Sequence, residues 1–238
     1  MSDKDAATPR VFLIRHGETE WSRNGRYTGV TDIPLLPEGE AKIQKTASVV
    51  FGPGRLIDTS KIGQIFCSPR LRARRTLEIL LEQVGDPEVR TKLERERTVT
   101  DDLAEWGYGD YEGLYTQEIR ELRKTRGLDQ DQPWDIWRDG TEGEGCESPQ
   151  QVAERLDRMI SKIARLQGEE LAKQHRMDIV VVAHGHILRA FVKRWLGLSL
   201  ESKLELMLEP GGVCGLSYAH GSTDARAVLV GMSFPGFR

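Results

Sequence analysis

The stretch Val11-Phe12-Leu13-Ile14-Arg15-His16-Gly17 decides the fold prediction. Four apolar residues followed at once by a cation, an imidazole and a glycine are typical of a buried parallel strand that ends at a sheet edge. In open α/β sheets, ligands bind at the carboxyl edge of the strands. A neutral imidazole at that edge can attack phosphorus, and a guanidinium can hold two phosphate oxygens through its planar fork. The stretch is short, so the prediction depends on the rest of the chain.

A second stretch, Val180-Val181-Val182-Ala183-His184-Gly185-His186, repeats this pattern: an apolar strand ends in His-Gly before a helix. The chain has only five histidines. Two strands that both end in His-Gly therefore favour a shared site over two unrelated structural histidines. Because parallel strands bring their carboxyl ends to one edge, we expect His16 and His184 to lie close together.

A basic segment, Ser68-Pro69-Arg70-Leu71-Arg72-Ala73-Arg74-Arg75-Thr76, follows the next predicted strand. Arg72 and Thr76 lie four residues apart at the border of the apolar helix face. Helix side chains lean towards the N-terminus, so Arg72 is predicted to point at the sheet edge, where the helix dipole also favours an anion. Together with Arg15, His16 and a protonated His184, it would form a cationic pocket for a phosphoryl group.

The segment 103–113 is expected to supply an acid. It is rich in tryptophan and tyrosine, and a carboxyl group in a partly apolar loop can keep its proton and act as a general acid. Glu105 is the candidate. Glu112 stays open as an alternative reading, a solvated or loop-bracing carboxylate, since the residues alone do not separate the two.

Strands and helices alternate along the chain, which predicts an α/β fold: a three-layer sandwich with a mainly parallel sheet flanked by helices. The expected strands are 11–14, 64–67, 178–183, 213–218 and 227–230, and the expected helices are 37–50, 69–84 with Ser68 as N-cap, 118–124, 149–171 and 187–196. The alternation breaks at about 90–148, which we interpret as an insertion over the active site. We expect a disordered leader at 1–9 and a single domain at 10–238.

The composition excludes several classes of protein. A net charge of −3 gives no reason to expect a nucleic-acid or membrane partner. The apolar runs are far too short to cross a bilayer. Three cysteines without metal-type spacing indicate reduced thiols in a cytoplasmic protein, and the nucleus stays open as a further compartment. No metal or other cofactor is expected, and homo-oligomerisation is left open.

The four segments, taken in chain order, resemble the histidine phosphatase superfamily, the phosphoglycerate mutase-like proteins. The resemblance rests on Arg-His-Gly-Glu-Thr-Glu-Trp at 15–21, Ser-x-x-x-Arg-Ala-x-x-Thr at 68–76 and Leu-x-Glu-x-x-x-Gly-x-x-Glu-Gly at 103–113. It implies that His16 is a nucleophile forming a phosphohistidine and that Glu105 is the proton donor. It implies further that the transferred phosphate is bound by Arg15, Arg72 and His184, and that the substrate side of the pocket includes Ser22, Thr28, Gly29 and Tyr108.

Within this superfamily the chain is most similar to the fungal sedoheptulose-1,7-bisphosphatases. The shared tracts are 25–29, 68–74, 118–129, 133–140, 185–189 and 216–220, and they add Tyr27, Gly185 and His186 to the expected substrate-binding residues. A bisphosphate needs a second anion site, for which the candidates are Arg26, Arg138 and Arg189. The chain departs from that group between Leu200 and Gly211, where it is short.

The resemblance implies a metal-independent phosphatase that converts sedoheptulose 1,7-bisphosphate to sedoheptulose 7-phosphate, so a phosphorylated sugar is the expected partner. The alternatives are a phosphoglycerate mutase and a broad-specificity phosphomonoesterase on the same site. His186 stands where such mutases usually carry asparagine, which favours the phosphatase. A non-catalytic phospho-ligand-binding protein is a further alternative, but such proteins tend to lose the nucleophile or the acid.

Overall fold

The computed structural model of the chain describes residues 8–220 and 222–228. In chain order its elements are β1 (Val11–Arg15), α1 (Glu20–Asn24), α2 (Pro37–Val50), β2 (Ile62–Cys67), α3 (Leu71–Glu82), α4 (Pro87–Arg95), β3 (Arg97–Val99), a 3₁₀ turn (Asp101–Leu103), α5 (Thr116–Thr125), α6 (Ile136–Asp139), α7 (Pro149–Ala172), β4 (Asp178–Ala183), α8 (Gly185–Trp195), β5 (Val213–Tyr218) and β6 (Arg226–Val228).

The strands form one mainly parallel sheet in the order β3-β2-β4-β1-β5-β6. β1, β2, β3 and β4 pair in parallel, and β5 runs antiparallel to both of its neighbours. In the register, Arg15 lies beside Ala183 and Cys67 beside Val182. The carboxyl ends of β1, β2 and β4 therefore meet at one edge, as the sequence predicts.

Helices cover both faces of this sheet. Successive strand residues point to opposite faces, so Val11 and Leu13 pack on one side and Phe12 and Ile14 on the other. The first side is covered by apolar residues of α7, α8 and the segment after β3, and the second by those of α2, α3 and α4. The fold is therefore the predicted three-layer α/β sandwich.

The longest helix, α7, begins and packs as its sequence predicts. The Ser148 hydroxyl accepts a hydrogen bond from the Gln151 N–H, and the Gln151 side chain accepts one from the Ser148 N–H, which makes a capping box. Pro149 occupies the first turn, where its missing N–H costs nothing. The buried face carries apolar residues at three- and four-residue steps. No helix among the described residues combines the length and apolar character that a membrane span requires.

The prediction that Ser68 caps the next helix and Pro69 begins it is wrong. The helix α3 begins at Leu71, and its N-cap Arg70 makes no side-chain cap. The Ser68 hydroxyl is instead bonded to His184 Nε2 at 2.6 Å. The hydroxyl also accepts a hydrogen bond from the Arg70 N–H at 3.3 Å, so it joins the turn before the helix to a histidine 116 positions away.

The boundary of the insertion also differs from the prediction. Asp86 caps α4 by accepting hydrogen bonds from the N–H groups of Glu88 and Val89, and β3 then pairs in parallel with β2. Residues 90–99 therefore belong to the sandwich, and the segment over the sheet edge covers 100–148. The strand was missed because Arg97-Thr98-Val99 is too short to show a two-residue period.

The two ends of the chain lie partly outside the described residues. Of the predicted leader, residues 1–7 lie outside them, but Thr8 and Pro9 are buried, and the Ser217 hydroxyl bonds to both the Thr8 hydroxyl and the Pro9 carbonyl. Those two residues are thus ordered, against the prediction. The last predicted strand is observed as β6, and positions 229–230 lie outside the described residues.

Candidate active site

Two strand ends bring the first pair of predicted residues together. β1 ends at Arg15 and β4 at Ala183, and the His16 N–H donates to the Ala183 carbonyl at 3.0 Å. The residues that follow, His16 and His184, are both buried, with ring centroids 5.1 Å apart. The parallel register of the central strands therefore places both imidazoles at the carboxyl edge of the sheet.

A backbone contact fixes the tautomer of His16. Its Nδ1 lies 2.7 Å from the Gly17 carbonyl oxygen, which can only accept, so Nδ1 carries the proton. The Gly17 N–H in turn donates to the Thr76 hydroxyl at 3.0 Å, which fixes the loop. Burial, Arg72 and Arg15 hold the pKa of His16 well below its usual value. The ring is neutral at pH 7, with the lone pair on Nε2 available to a nucleophilic role.

Arg72 is fully buried beside these rings and is fixed by four contacts. Its Nη1 donates to the Thr31 carbonyl at 3.0 Å, and its Nη2 donates to the carbonyls of Thr28 at 2.8 Å and Gly29 at 3.1 Å. Its Nε donates to His184 Nδ1 at 3.1 Å. The inward orientation is as predicted, and it ties the loop 28–31 to the histidine pair.

The expectation that His184 is protonated is wrong for this arrangement. An Arg72 N–H can only donate, so His184 Nδ1 must be an acceptor, and the ring proton lies on Nε2, which bonds to the Ser68 hydroxyl. Burial, followed by the charge of Arg72, holds the pKa of His184 well below its usual value. The ring is neutral and serves as a hydrogen-bonding group.

A cavity of about 300 Å³ opens at this edge of the sheet. It is lined by Arg15, His16, Trp21, Ser22, Gly25, Arg26, Tyr27, Thr28, Glu105, Tyr108, Thr116, Gly185, His186 and Arg189. Most of the residues that the sequence singles out thus lie around one pocket. Trp21, Gly25 and Thr116 were missed, although Trp21 and Gly25 fall inside the motif tracts. No pattern in the sequence pointed to Thr116, because the helix that it begins was predicted to start two residues later.

Four predicted residues do not line this cavity. Arg72 and His184 lie behind its wall, and Gly29 is buried with its N–H bonded to Glu112. Arg138 lines a neighbouring hollow, and its guanidinium is occupied by Asp139 at 2.8 and 2.6 Å. Arg138 is therefore poorly placed for a second phosphate, whereas Arg26 and Arg189 line the catalytic pocket itself.

Arg15 carries a buried donor without a partner among the described residues. Its Nη1 donates to the Leu208 carbonyl at 2.8 Å, but its Nε is buried and unpaired. Native proteins seldom leave such a donor unsatisfied. An arginine keeps its charge even where burial lowers its pKa, as it does here. The arrangement suits an anion in the pocket beside His16.

The contacts of Glu105 and Glu112 show which of these two carboxyl groups faces the cavity. The Glu105 carboxylate lines the cavity and accepts hydrogen bonds from the N–H groups of Trp106 and Ile187 at 3.0 Å and of His186 at 3.2 Å. The loop is therefore not apolar around it, which corrects the expectation. Glu112 instead accepts from the N–H groups in the loop 29–31, so it braces that loop.

An aromatic wall faces the nucleophile across the cavity. The Tyr108 hydroxyl lies 2.7 Å from His186 Nδ1, and the Tyr27 ring stacks on the His186 ring at 5.5 Å. Burial lowers the pKa of His186 to about 4, so this ring is neutral at pH 7. The wall offers flat faces and neutral hydrogen-bonding groups, which suit the carbon skeleton and hydroxyls of a sugar.

Three neutral histidines with lowered pKa values, His16, His184 and His186, give the protein an acid-sensitive stability. Between pH 6.5 and the lowered pKa of His186, the unfolded chain binds a proton that the folded chain does not, so stability falls as the pH falls. For His186 alone the loss between pH 6.5 and 5 is about 1.5 kcal/mol. Denaturant unfolding of the wild type and His186→Gln at both pH values checks this: the variant's free energy of unfolding should fall less over that interval. Equal falls would contradict it.

Gly185 is predicted to be a steric requirement of the pocket. A Cβ at this position would lie 3.3 Å from Arg15 Cζ and Nη2, so Gly185→Ala displaces the guanidinium by a few tenths of an ångström. We expect kcat/KM to fall about tenfold, since small misplacements at reacting centres are costly, while thermal stability is kept. The matched control is Gly168→Ala in α7, whose added Cβ meets only Thr223 at 3.4 Å. Unchanged kcat/KM in Gly185→Ala would refute the steric role.

No group of three or more histidine, cysteine, aspartate or glutamate side chains in residues 8–220 and 222–228 is arranged to hold a metal ion. Metal independence remains a prediction for assay.

Comparisons with known proteins show the family and the fold of the chain. The family model of the histidine phosphatase superfamily (branch 1) matches residues 11–230. A sedoheptulose 1,7-bisphosphatase of Saccharomyces cerevisiae is 42% identical, covering 93% of this chain and 92% of the relative. An acid phosphatase of Mycobacterium tuberculosis is 34% identical, covering 88% and 87%. The structure of a Mycobacterium tuberculosis open reading frame product superposes with a TM-score of 0.68 at 29% identity, covering 93% and 96%.

Proposed function

Since the chain belongs to branch 1 of the histidine phosphatase superfamily and is a phosphoric monoester hydrolase, we propose that it hydrolyses a sugar bisphosphate through a phosphohistidine. The substrate we propose is sedoheptulose 1,7-bisphosphate, with sedoheptulose 7-phosphate and inorganic phosphate as products. The observation that carries the mechanism is the neutral His16 ring, whose Nδ1 is bonded to the Gly17 carbonyl and whose Nε2 is left to attack.

In the first step, His16 Nε2 attacks phosphorus and the bond from phosphorus to the sugar oxygen breaks. Glu105, the one carboxyl group among the described residues lining the cavity, gives a proton to the leaving oxygen. Arg15, which lines the cavity beside His16, stabilises the charge that spreads over the phosphoryl oxygens. Arg72 acts from behind, where it holds the loop 28–31 and His184.

In the second step, water attacks the phosphohistidine and the bond from phosphorus to nitrogen breaks. Glu105 accepts the proton of that water, which completes the cycle and releases inorganic phosphate. Three backbone N–H groups already point at its carboxylate. These fixed donors suit its role as the base, because they need no rearrangement in this step.

The choice of a sugar bisphosphate rests on the far side of the cavity. Arg26 and Arg189 add two cations to a wall formed by Tyr27, Tyr108 and His186. These two cations offer a site for the second phosphate of a sugar bisphosphate, which a phosphoglycerate lacks. The 42% identity with the yeast enzyme over 93% of the chain points to the same substrate.

Phosphate release tests this choice. Initial rates should be compared for sedoheptulose 1,7-bisphosphate, fructose 1,6-bisphosphate, 3-phosphoglycerate and an aryl phosphate, with a metal chelator present and absent. We expect the bisphosphates to lead by tenfold or more in kcat/KM, which equals about 1.4 kcal/mol of transition-state binding. Equal or faster turnover of 3-phosphoglycerate, or of the aryl phosphate, would favour a mutase-related or broad-specificity enzyme. Loss of activity with chelator would overturn metal independence.

Glu105→Gln is expected to slow cleavage according to the leaving group. A sugar alkoxide needs the proton, so kcat for the bisphosphate should fall about 10²- to 10⁴-fold. The aryloxide of an aryl phosphate leaves without a proton. Transfer of its phosphoryl group to His16 should therefore be much less affected in single-turnover measurements. Glu144→Gln, at an exposed carboxyl of the same segment, is the matched control. An equal loss for both substrates would remove Glu105 from the acid role.

A further inference from the structure

Lys193 is a buried cation that the mechanism above does not use. Its side chain is 4% exposed, and its Nζ donates to the Leu200 carbonyl at 2.7 Å and lies 4.0 Å from the centroid of the Trp137 ring. No carboxylate of the described residues forms an ion pair with it. Burying an ammonium group is costly unless its interactions compensate, so its two partners identify what the cation does.

These partners join three separate parts of the molecule. Lys193 lies on the same face of α8 as His186 and Arg189, because the three residues follow at three- and four-residue steps. Trp137 belongs to the segment 100–148 over the sheet edge. Leu200 belongs to the connection 198–212 between α8 and β5, which contains no helix or strand.

Trp137 connects Lys193 to the aromatic wall of the pocket. Its ring centroid lies 5.6 Å from that of His186 and 5.7 Å from that of Trp106. The Trp106 N–H in turn donates to the Glu105 carboxylate at 3.0 Å. A displaced Trp137 ring would therefore disturb the sugar-side wall first and the proton donor second.

The connection 198–212 links Lys193, through Leu200, to arginines of the cavity. Its Leu206 carbonyl accepts a hydrogen bond from Arg189 Nε at 3.1 Å, and its Leu208 carbonyl accepts one from Arg15 Nη1 at 2.8 Å. Lys193 holds the start of this connection through Leu200. The far end of the connection is held to β1 by other bonds, from the Gly211 N–H to the Arg15 carbonyl and from the Arg15 N–H to the Gly212 carbonyl, both at 3.1 Å. The ammonium group thus supports the part of the connection that orients Arg189.

We propose that Lys193 is a positioning residue that sets the affinity for the carbon skeleton and distal phosphate of the substrate. It touches neither the substrate nor the reacting atoms. It acts through Trp137 on His186 and through the connection 198–212 on Arg189, while His16 is held by contacts of its own. This inference rests on the proposed function for the chemical class of the substrate.

The test compares Lys193→Met with the wild type on a sugar bisphosphate and on an aryl phosphate. Methionine keeps an unbranched side chain, one atom shorter, but removes both the charge and the donor to the Leu200 carbonyl. We expect KM for the bisphosphate to rise about tenfold with kcat within about threefold, and kcat/KM for the aryl phosphate to change less than about threefold. Lys193→Arg, which keeps the cation and a donor, should restore most of the bisphosphate affinity.

Arg194→Met is the matched control. Arg194 follows Lys193 on α8 and donates to the Leu198 carbonyl of the same connection, but it pairs with Asp157 and not with Trp137. Its ratio of bisphosphate to aryl phosphate activity should equal that of the wild type. An unchanged KM in Lys193→Met, or an equal loss for both substrates in a folded variant, would overturn the proposal.

Two further measures keep the outcomes separate. If Lys193→Met does not fold, Lys193→Gln replaces it: this side chain is one atom shorter and uncharged but keeps an N–H donor, and it should also raise KM for the bisphosphate. If the wild type does not prefer bisphosphates, the proposed substrate fails. The role of Lys193 is then tested with the sugar monophosphate that the wild type turns over best. An unchanged KM of Lys193→Met for that substrate overturns the role.

Discussion

Replacing His16 with alanine abolishes phosphate release while the protein stays folded. The variant loses the atom that forms the covalent bond, and removal of a catalytic nucleophile costs on the order of 10⁶-fold in a well-studied hydrolase. The fold should survive, because among the described residues the side chain makes one hydrogen bond, to the Gly17 carbonyl, which contributes about 1 kcal/mol. Steady-state phosphate release, together with far-UV circular dichroism and a denaturant curve, checks both expectations.

The matched control for this variant is His175→Ala. His175 is exposed and its ring bonds to the Glu170 side chain, so its loss should leave kcat/KM unchanged. Residual activity within tenfold of the wild type in His16→Ala would remove the nucleophile from the mechanism.

Arg72→Met should combine a large loss of rate with a loss of stability. The guanidinium donates to three backbone carbonyls and to His184 in a fully buried position. Buried acceptors left unpaired cost about 1–3 kcal/mol each, and four lose their donor here, so we expect destabilisation of at least about 4 kcal/mol. The loop 28–31 and His184 lose their anchor, and kcat should fall on the order of 10²-fold, because small misplacements of reacting groups are costly. Enzyme assays and denaturant unfolding measure the two effects.

Two variants separate position from charge at this site. Arg72→Lys keeps the charge but not the planar fork, so it should regain part of the stability and little of the rate. Arg74→Met removes an exposed arginine from the same helix and should change neither. A stable, active Arg72→Met protein would show that the buried guanidinium has no part in the site.

The core of the fold could be predicted because its signals are local. Apolar strands that end in His-Gly, and helices with caps and regular apolar spacing, are visible in the residues themselves. The strand β3 could not be found in this way, since Arg97-Thr98-Val99 is polar and short and its order comes from pairing with β2. The Ser68 cap was misplaced for a related reason, as the hydroxyl bonds to a histidine 116 residues away.

The sequence predicts which residues form the site, but not where the protons of their side chains lie. Residue types place His16, Arg72 and His184 at one edge, and the structure brings them together there. The charge of His184 depends on which atom of Arg72 faces it, and residue spacing carries no such information. The role of Lys193 was missed likewise, because a lysine on an amphipathic helix gives no sign that it is buried against a tryptophan.

The central claim is the covalent intermediate on His16, and trapping that intermediate tests it most directly. The wild type is mixed with phosphate-labelled substrate, quenched with base within one turnover and digested, and the label is located by mass spectrometry. We predict an acid-labile phosphoryl group on the peptide that carries His16, formed at least as fast as steady-state turnover. A phosphoryl group on any other residue, or turnover that outpaces labelling of His16, would contradict the mechanism.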